Sequence, residues 1–527
     1  MILPAPGTAQ ETIPPFHWSN SYIDYLKVRG YFPELWVIER PYTRQEIAKQ
    51  LLLIEWDLLR ENPTDQGTVK LLYREFAPEM KLLGDSKDRK WRTLIQDAID
   101  YLQIRFFPET ISPRLKLGAF GEGAYLNSDK MDNTFDYFIN TQAGLFWKDF
   151  LTLYNSIKIF NNAPPGYIGK EFRGMHAFVE QGYIAVNLEW LHAKFGRDFK
   201  QIGPGRSSQL LMSDNSRTFD MYHVRLGKSL LQFSFWGMFL DRIADTQSSA
   251  VANRYLNGHR IGLNIKNKMF FGISEVALYG GPGRVWEIGY MNPLGVYYAQ
   301  NVNSESGAAD ANLLYNIDWD LFLWPNWEIY GEFLIDDYQV EKKSPGDLEP
   351  NELGIIAGVN WSNPLNLKGG LFNFEYVQVR NRTYNVAQND WNKYLHRNEV
   401  IGHALGNNFY GFGTSLSYLF KPELNLKVFT NIIRQGEGSV QGEFNTDFSN
   451  FTVEEGYSEP FPFGVVEKRF QYGLSAFYKP HQLGHFSLDL AFNDISNYQN
   501  TSGNEFSEFT FKIALWLQWS NIWALTK

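Results

Sequence analysis

The feature that most constrains this chain is a change of period. After Pro108, apolar side chains recur at every second position and continue to do so to the C-terminus. Phe511, Ile513, Leu515, Leu517 and Trp519 alternate with Lys512, Ala514, Trp516 and Gln518. Phe486, Leu488, Leu490 and Phe492 alternate in the same way with Ser487, Asp489, Ala491 and Asn493. Successive side chains of a strand point to opposite faces, so each run reads as a two-faced β-strand. Leu115 to Ala119, Trp327 to Ile335 and Phe372 to Tyr376 follow the rule, and roughly eighteen such segments can be traced.

A membrane-spanning helix needs about 18 or more mostly apolar residues in a row. The longest uncharged stretch, Val400 to Phe420, is broken by His403, Asn407, Asn408 and several glycines. Any crossing of a membrane must therefore be made by strands. About 420 residues follow the helical part, and a membrane strand with its share of turn and loop uses somewhat over 20, which gives about 16 to 20 strands. The expected fold is mainly β: a transmembrane antiparallel barrel of about 18 strands, closed so that no sheet edge faces lipid. Aromatics make up 16% of the chain, including 16 Trp and 29 Tyr, the residues that collect in the interfacial girdles of such barrels. A soluble propeller or solenoid would show a repeat of fixed period, and the sequence shows none. Tight turns are expected at Lys421-Pro422-Glu423 and at Pro480 to Gly484, and long polar loops at Asn301 to Asp310, Gln435 to Pro462 and Asp494 to Glu505.

The first hundred residues follow a helical period. Thr43-Arg44-Gln45-Glu46 is a capping box, and Ile47, Leu51, Ile54 and Leu58 follow on one helix face. Val69 to Leu83 and Trp91 to Leu102 repeat the pattern, and a shorter helix from Tyr22 to Arg29 is closed by Gly30. Two domains are expected: residues 1–108, an N-terminal segment and helical bundle acting as a periplasmic plug, and residues 109–527, an outer-membrane barrel with long extracellular loops. Met1 to Pro15 lacks the basic and apolar regions of a signal peptide, and a leader is taken to have been removed already.

Several function classes fall away. With no cysteine there is no thiol nucleophile and no Cys-ligated metal, and the 9 histidines show no pair at metal-ligand spacing, so no metal or cofactor is expected. The balance of 49 basic against 58 acidic residues offers no footprint for nucleic acid. Gly203-Pro204-Gly205 and Gly280-Gly281-Pro282-Gly283 do not sit between a strand and a helix and read as bends rather than phosphate loops. Asp336-Asp337 and Glu454-Glu455 are neighbours on strands or rims, where adjacent side chains diverge. Single histidines such as His223, His403 and His485 read as wall residues, no catalytic residue is expected, and the chain is read as a non-enzyme.

The segment Gly196 to Arg260 carries Gly196-Arg197-Asp198, Gly203-Pro204-Gly205-Arg206, Ser213-Asp214-Asn215 and Gly258-His259-Arg260. With Arg40-Pro41-Tyr42 leading into a helical segment, and Ser274-Glu275 before Tyr279-Gly280-Gly281, the chain resembles the Wzi family of capsule assembly proteins nearly end to end. The resemblance implies a plugged outer-membrane barrel with a loop-blocked outer entrance, acting as a lectin-like anchor for exported capsular or other surface polysaccharide. The expected partners are polysaccharide, outer-membrane lipid and the polysaccharide export machinery, and because an 18-stranded barrel needs no neighbour to close, a monomer is expected.

Sugars are held by aromatic faces, by Asn and Asp hydrogen bonds, and by Arg forks on uronic carboxylates. Candidate glycan-binding residues are Arg197, Asp198, Arg206, Asp214, Asn215, Arg242, Arg254, Arg260 and Trp286. For each, a competing reading is an internal ion-pair network that braces plug and loops against the lumen. The alternative function is an outer-membrane porin or transporter for saccharides, and a second rival is a lipid-modifying enzyme built on Ser, His and a carboxylate.

Overall fold

The computed structural model describes residues 11–55, 59, 62–84, 113–147, 150–163, 167, 169–188, 190–244, 250–302, 311–340, 343–387 and 389–525. The helix expected over Trp91 to Leu102 and positions 303–310 lie outside them. Among the described residues, eighteen long strands form one closed antiparallel barrel. The first nine are β1 (Arg114–Ser128), β2 (Thr134–Trp147), β3 (Leu151–Phe160), β4 (His176–Leu188), β5 (Leu191–Asp198), β6 (Phe219–Gly227), β7 (Leu231–Phe239), β8 (Val251–Ile265) and β9 (Met269–Pro282). They are followed by β10 (Asn312–Leu321), β11 (Trp327–Asp337), β12 (Glu352–Ser362), β13 (Gly370–Val379), β14 (Phe409–Lys421), β15 (Leu424–Gln435), β16 (Glu467–His481), β17 (Gly484–Ser496) and β18 (Glu505–Ala524). Pairing of β18 with β1, from Arg114↔Ala524 to Ser128↔Thr510, closes the ring.

The period-2 pattern decides which side chains meet lipid. On β18, Ile513, Leu515, Leu517 and Trp519 are 46, 39, 57 and 55% exposed on the outer face, while Ala514 and Trp516 between them are 3 and 5% exposed in the lumen. Each outward Leu or Ile gains about 2 kcal/mol when lipid replaces water around it. No described helix is long and apolar enough to cross a membrane, so the crossing belongs to the strands. Short and long connections alternate. Residues 422–423 and 482–483 are two-residue turns at one end, where sequence places them, and the connections from β9 to β10, β13 to β14 and β15 to β16 are long and lie at the other. The last loop before the C-terminus is shorter than expected, 497–504, because β17 continues to Ser496.

The helical residues fill the short-turn end. α1 (Ser19–Val28) is followed by Gly30 at φ +86, as its position predicts. α2 (Arg44–Leu52) opens on the expected box, the Glu46 carboxylate accepting from Thr43 N–H at 2.8 Å and the Thr43 hydroxyl accepting from Glu46 N–H at 3.1 Å. The single helix expected over Val69 to Leu83 is two, α3 (Pro63–Glu75) and α4 (Ala77–Gly84). Phe76, at φ −100 and ψ 11, leaves the helical region just ahead of Pro78, whose missing N–H suits a first turn. Their apolar faces pack together with Leu371, Leu419 and Phe477 of the barrel wall. Gly67 of α3 lies so close to the 422–423 turn that a Cβ there would stand 2.2 Å from Pro422 Cγ.

Candidate functional site

The loop between β5 and β6, residues 199–218, decides the shape of the lumen. Instead of rising from the rim it turns inward at Asp198 and pairs with the helical unit, Arg40↔Gln201 and Glu39↔Ile202. It then crosses to the far wall. There the Glu332 carboxylate of β11 accepts from Gly205 N–H (3.1 Å) and Leu210 N–H (2.9 Å), and Glu375 of β13 accepts from Arg206 N–H (2.7 Å) and Ser207 N–H (3.0 Å). Buried carboxylates that each take two backbone donors fix the loop in register. Gly203 sits at φ +130 with no room for a Cβ, which would lie 2.3 Å from Glu332 Oε1.

Loop 380–408 packs over the inward loop, with Tyr384 and Tyr394 hydroxyls donating to Leu210 C=O (2.5 Å) and Leu211 C=O (3.0 Å). Apolar residues of both loops, among them Leu210, Met212, Tyr394 and Ile401, join lumen-facing residues of β6 to β14 in one buried cluster. This half of the barrel is solid.

The other half is open toward the loops. Between β1 to β4, β18 and the returning end of the inward loop lies a cleft of about 460 Å³, within the range of ligand sites. Phe138, Phe160 and Phe178 stand on its wall, and Phe16 and Phe199 form its floor, their rings 5.8 Å apart at 81°. Phe160 and Phe178 meet edge-on at 5.6 Å. Polar groups lie between the rings. Lys158 bonds Glu180 at 3.1 Å and sits 4.5 Å over the Phe138 ring, and the Asn215 side chain donates to Val400 C=O at 3.0 Å. Glu122, Asp214, Arg217, Glu399 and Lys512 complete the polar lining. Fixed aromatic faces among amide, carboxylate and cationic groups suit a polyhydroxylated ligand with apolar ring faces.

Below the cleft, charge pairs join helices, loop and wall. Arg206 bonds Asp24 of α1 at 3.1 Å and also Glu328 of β11, and Asp24 accepts from Arg40 at 2.7 Å. Burial would raise the Asp24 carboxyl, but Arg206 and Arg40 outweigh it and hold it below its usual range. Glu39 pairs with Lys200 and with His223 at 2.8 Å. Burial opposes ionisation there too, yet Lys200 and His223 hold Glu39 well below the usual carboxylate range. Among the described residues no group of three or more His, Asp or Glu side chains could hold a metal ion.

The nine candidates read from sequence are dispersed. Asp214 and Asn215 line the cleft. Arg197 lies on the outer side of β5, paired with Asp220 at 2.5 Å. Asp198 is buried, accepting from Gln181 at 2.8 Å and from Lys194, and Arg206 braces the inward loop. Arg260 grips Asp318 of β10 at 2.6 and 3.2 Å, wholly buried. Arg254 donates to the carbonyls of Trp391, Lys393 and Leu395 at 2.7 to 2.8 Å, holding loop 380–408. Arg242 is exposed just before the short strand Ile243–Ala244. Trp286 packs on the outer wall, 4.4 Å from Phe239, and donates to Asn257 at 3.1 Å. Phe138, Phe160, Phe178, Lys158 and Arg217 escaped the sequence reading. The usable signal was phenylalanine on the lumen face, alternating within a strand with Asn140, Lys158 or Glu180.

Fold and site define a closed outer-membrane-type β-barrel, filled at one end by helices, half-filled by an inward loop, and open at the other end as an aromatic and polar cleft. A family profile described as "Capsule assembly protein Wzi" matches residues 124–506, and the chain belongs to that family. A solved structure described as Wzi, an outer membrane protein involved in group 1 capsule assembly in Escherichia coli and a carbohydrate-binding β-barrel, superposes with a TM-score of 0.58. Its identity to this chain is 13%, over 97% of this chain and 99% of that one. OccD3 of Pseudomonas aeruginosa follows at 0.45, with 11% identity over 77% of this chain and 91% of its own. OprD of the same organism follows at 0.43, with 12% identity over 79% and 96%. No curated protein sequence matches the chain.

Proposed function

We propose that this protein is a non-enzymatic retainer of surface polysaccharide, holding the polymer in the loop-side cleft while the N-terminal helices plug the periplasmic end of the barrel. The observation that carries the reading is the cleft: three phenylalanine faces among Lys158, Glu180, Asp214, Asn215 and Arg217, above a floor of Phe16 and Phe199. Short turns face the periplasm and long loops the exterior in barrels of this kind, which puts the cleft outside the cell. The export machinery would deliver polymer to it, and a closed ring needs no second subunit. Binding of detergent-solubilised protein to the source organism's own surface polysaccharide, against a neutral glucan, tests the reading. Selective binding that weakens in Phe138→Ala and Phe160→Ala supports it, and equal binding of both polymers would sink it.

A second reading, passage of saccharides, is favoured by one feature. Phe16 lines both the cleft and a second cavity of about 220 Å³ at the short-turn end, between the helices and β18. Steady single-channel conductance of the unmodified protein in a planar bilayer would favour this reading.

A further inference from the structure

Strand β5 is shorter than β4, and the difference leaves a notch in the barrel wall. The ladder between them runs from Leu188↔Leu191 only to Gly182↔Arg197, whereas β4 continues against β3 to Phe160↔His176. After Asp198 the chain leaves the wall for the lumen. Residues 176–181 of β4 therefore present an edge on that side, which a closed barrel otherwise abolishes. Side chains cover it. The Tyr167 hydroxyl donates to Ala177 C=O at 3.2 Å and accepts from Ala177 N–H at 3.3 Å, and Arg197 Nη1 donates to Val179 C=O at 3.2 Å.

The notch encloses about 200 Å³, lined by Tyr167, Phe178, Arg197, Arg217, Thr218 and Arg397. The Arg217 guanidinium lies 5.5 Å from the ring centroids of both Tyr167 and Phe178. Arg197 forks onto Asp220 at 2.7 and 2.5 Å, and Glu399 faces Arg217. Among the described residues, the guanidiniums of Arg197, Arg217 and Arg397 thus gather beside the carboxylates of Asp220 and Glu399. Burial lowers the pKa of Arg217, and Arg397 beside it lowers it further, a crowding of like charge that an anion would relieve.

The position of the notch is as telling as its chemistry. Arg197 stands two residues beyond Phe195 on the outward face of β5, where Phe195 and Ile184 are 67 and 47% exposed. The outer faces of β5 and β6 turn there from apolar to ionic, at Arg197 and Asp220, as barrel walls do toward the lipid head groups. On the inner side Phe178, Arg217 and Thr218 line notch and cleft alike, so the notch joins the head-group layer to the cleft.

We propose that the notch is a lateral site for the phosphorylated sugar head group of an outer-leaflet glycolipid. Arg197, Arg217 and Arg397 hold the phosphate through charge-assisted hydrogen bonds, the Tyr167 and Phe178 rings hold the sugar face, and the acyl chains stay in the bilayer against Phe195 and Ile184. The proposal rests on the outer-membrane placement of the barrel and not on polymer retention in the cleft.

The test uses the full chain in phosphatidylcholine nanodiscs containing a small fraction of lipopolysaccharide, with bound glycolipid counted by native mass spectrometry. The unmodified protein is expected to retain the glycolipid. The variant Arg197→Gln/Arg217→Gln/Arg397→Gln should retain it about tenfold less, a loss of about 1.4 kcal/mol, and enzymatic removal of the phosphates should do the same. Arg397→Gln alone, on a loop, gives a second reading in case the triple variant does not assemble, and its retention should fall part of the way. Phe138→Ala, in the cleft, should leave glycolipid retention unchanged, which separates this proposal from the function proposed above. Equal retention by the unmodified protein and the Arg397→Gln variant would overturn the assignment. So would displacement by a lipid-free phosphorylated sugar at the same affinity, which would make the notch a site for soluble anions.

Discussion

Arg206 and Asp24 meet across the lumen at 3.1 Å, one from the inward loop and the other from α1. Arg206 also bonds Glu328 of the wall, and Asp24 also bonds Arg40. This pair is where loop, helical unit and barrel are fastened together, at a point where both side chains are at most 20% exposed. Removing the Asp24 carboxylate leaves Arg206 with Glu328 alone and takes from Arg40 the carboxylate it bonds, in a low-dielectric lumen. Asp24→Asn is expected to destabilise the helical unit by about 3 kcal/mol. Protease cleavage within residues 11–84 should rise while heat-modifiable gel mobility of the barrel is kept.

Gly203→Ala places a methyl group against the Glu332 carboxylate and a non-glycine residue at φ +130. Strain of this kind costs about 1–3 kcal/mol, and its expected effect is to release the inward loop from β11. Hydrogen exchange at Gly205 and Leu210, whose N–H groups Glu332 now accepts, should accelerate in the variant and stay slow elsewhere in the barrel.

Acid should loosen the helical unit. Burial alone would raise Glu75, but Arg44 at 3.0 Å outweighs it and holds the carboxyl at about 2. A depressed folded pKa adds stability that is present above the ordinary 4.5 and lost as pH falls toward 2, here about 3 kcal/mol. Burial also lowers His17 from 6.5 to about 4, so the folded state resists its protonation and is weakened from pH 6.5 downward. Melting of the helical unit followed from pH 7 to pH 2.5 should show both steps, and Glu75→Gln should shrink the lower one, to which Asp24 and Glu39 also contribute.

Phe16 is 42% exposed and separates the cleft from the cavity beside the helices. Its ring is 6.2 Å from Phe120 and Trp516 and 5.8 Å from Phe199. Phe16→Ala is expected to join the two cavities and to give measurable single-channel current in a planar bilayer, with Trp516→Ala adding to it. If both variants stay silent, other groups close the passage.

Phe138→Ala removes a ring over which Lys158 sits at 4.5 Å. Affinity for the organism's own polysaccharide should fall about tenfold, or about 1.4 kcal/mol. Arg260→Lys, remote from the cleft and buried on Asp318, should leave affinity unchanged and lower thermal stability instead. Titration calorimetry and a melting curve on the same samples distinguish the two.

Legibility in the sequence followed the range of the interaction concerned. Which face of β18 meets lipid, where residues 422–423 turn and how Thr43 caps α2 are local matters, set by side-chain alternation, a proline and a hydroxyl three residues from its partner. The break at Phe76 was missed because an apolar period runs through it, although Pro78 marks it. Of the arginines that stand out as sugar ligands, Arg197 borders the notch, Arg206, Arg254 and Arg260 are braces, Arg242 is exposed, and none lines the cleft. Arg206 and Arg254 find carboxylates and carbonyls on elements far away in sequence, and no local pattern names those partners.

What the chain determined alone was therefore the two-faced strand, its approximate number of repeats, and an N-terminal part of a different period. Closure of the ring, the inward path of residues 199–218 and the early end of β5 depend on which distant backbone groups and charges can satisfy one another inside a space that excludes most water. Glu332, Glu375 and Asp24 make those choices in three dimensions. They leave the half of the lumen lined by Phe138, Phe160 and Phe178 free to face a ligand.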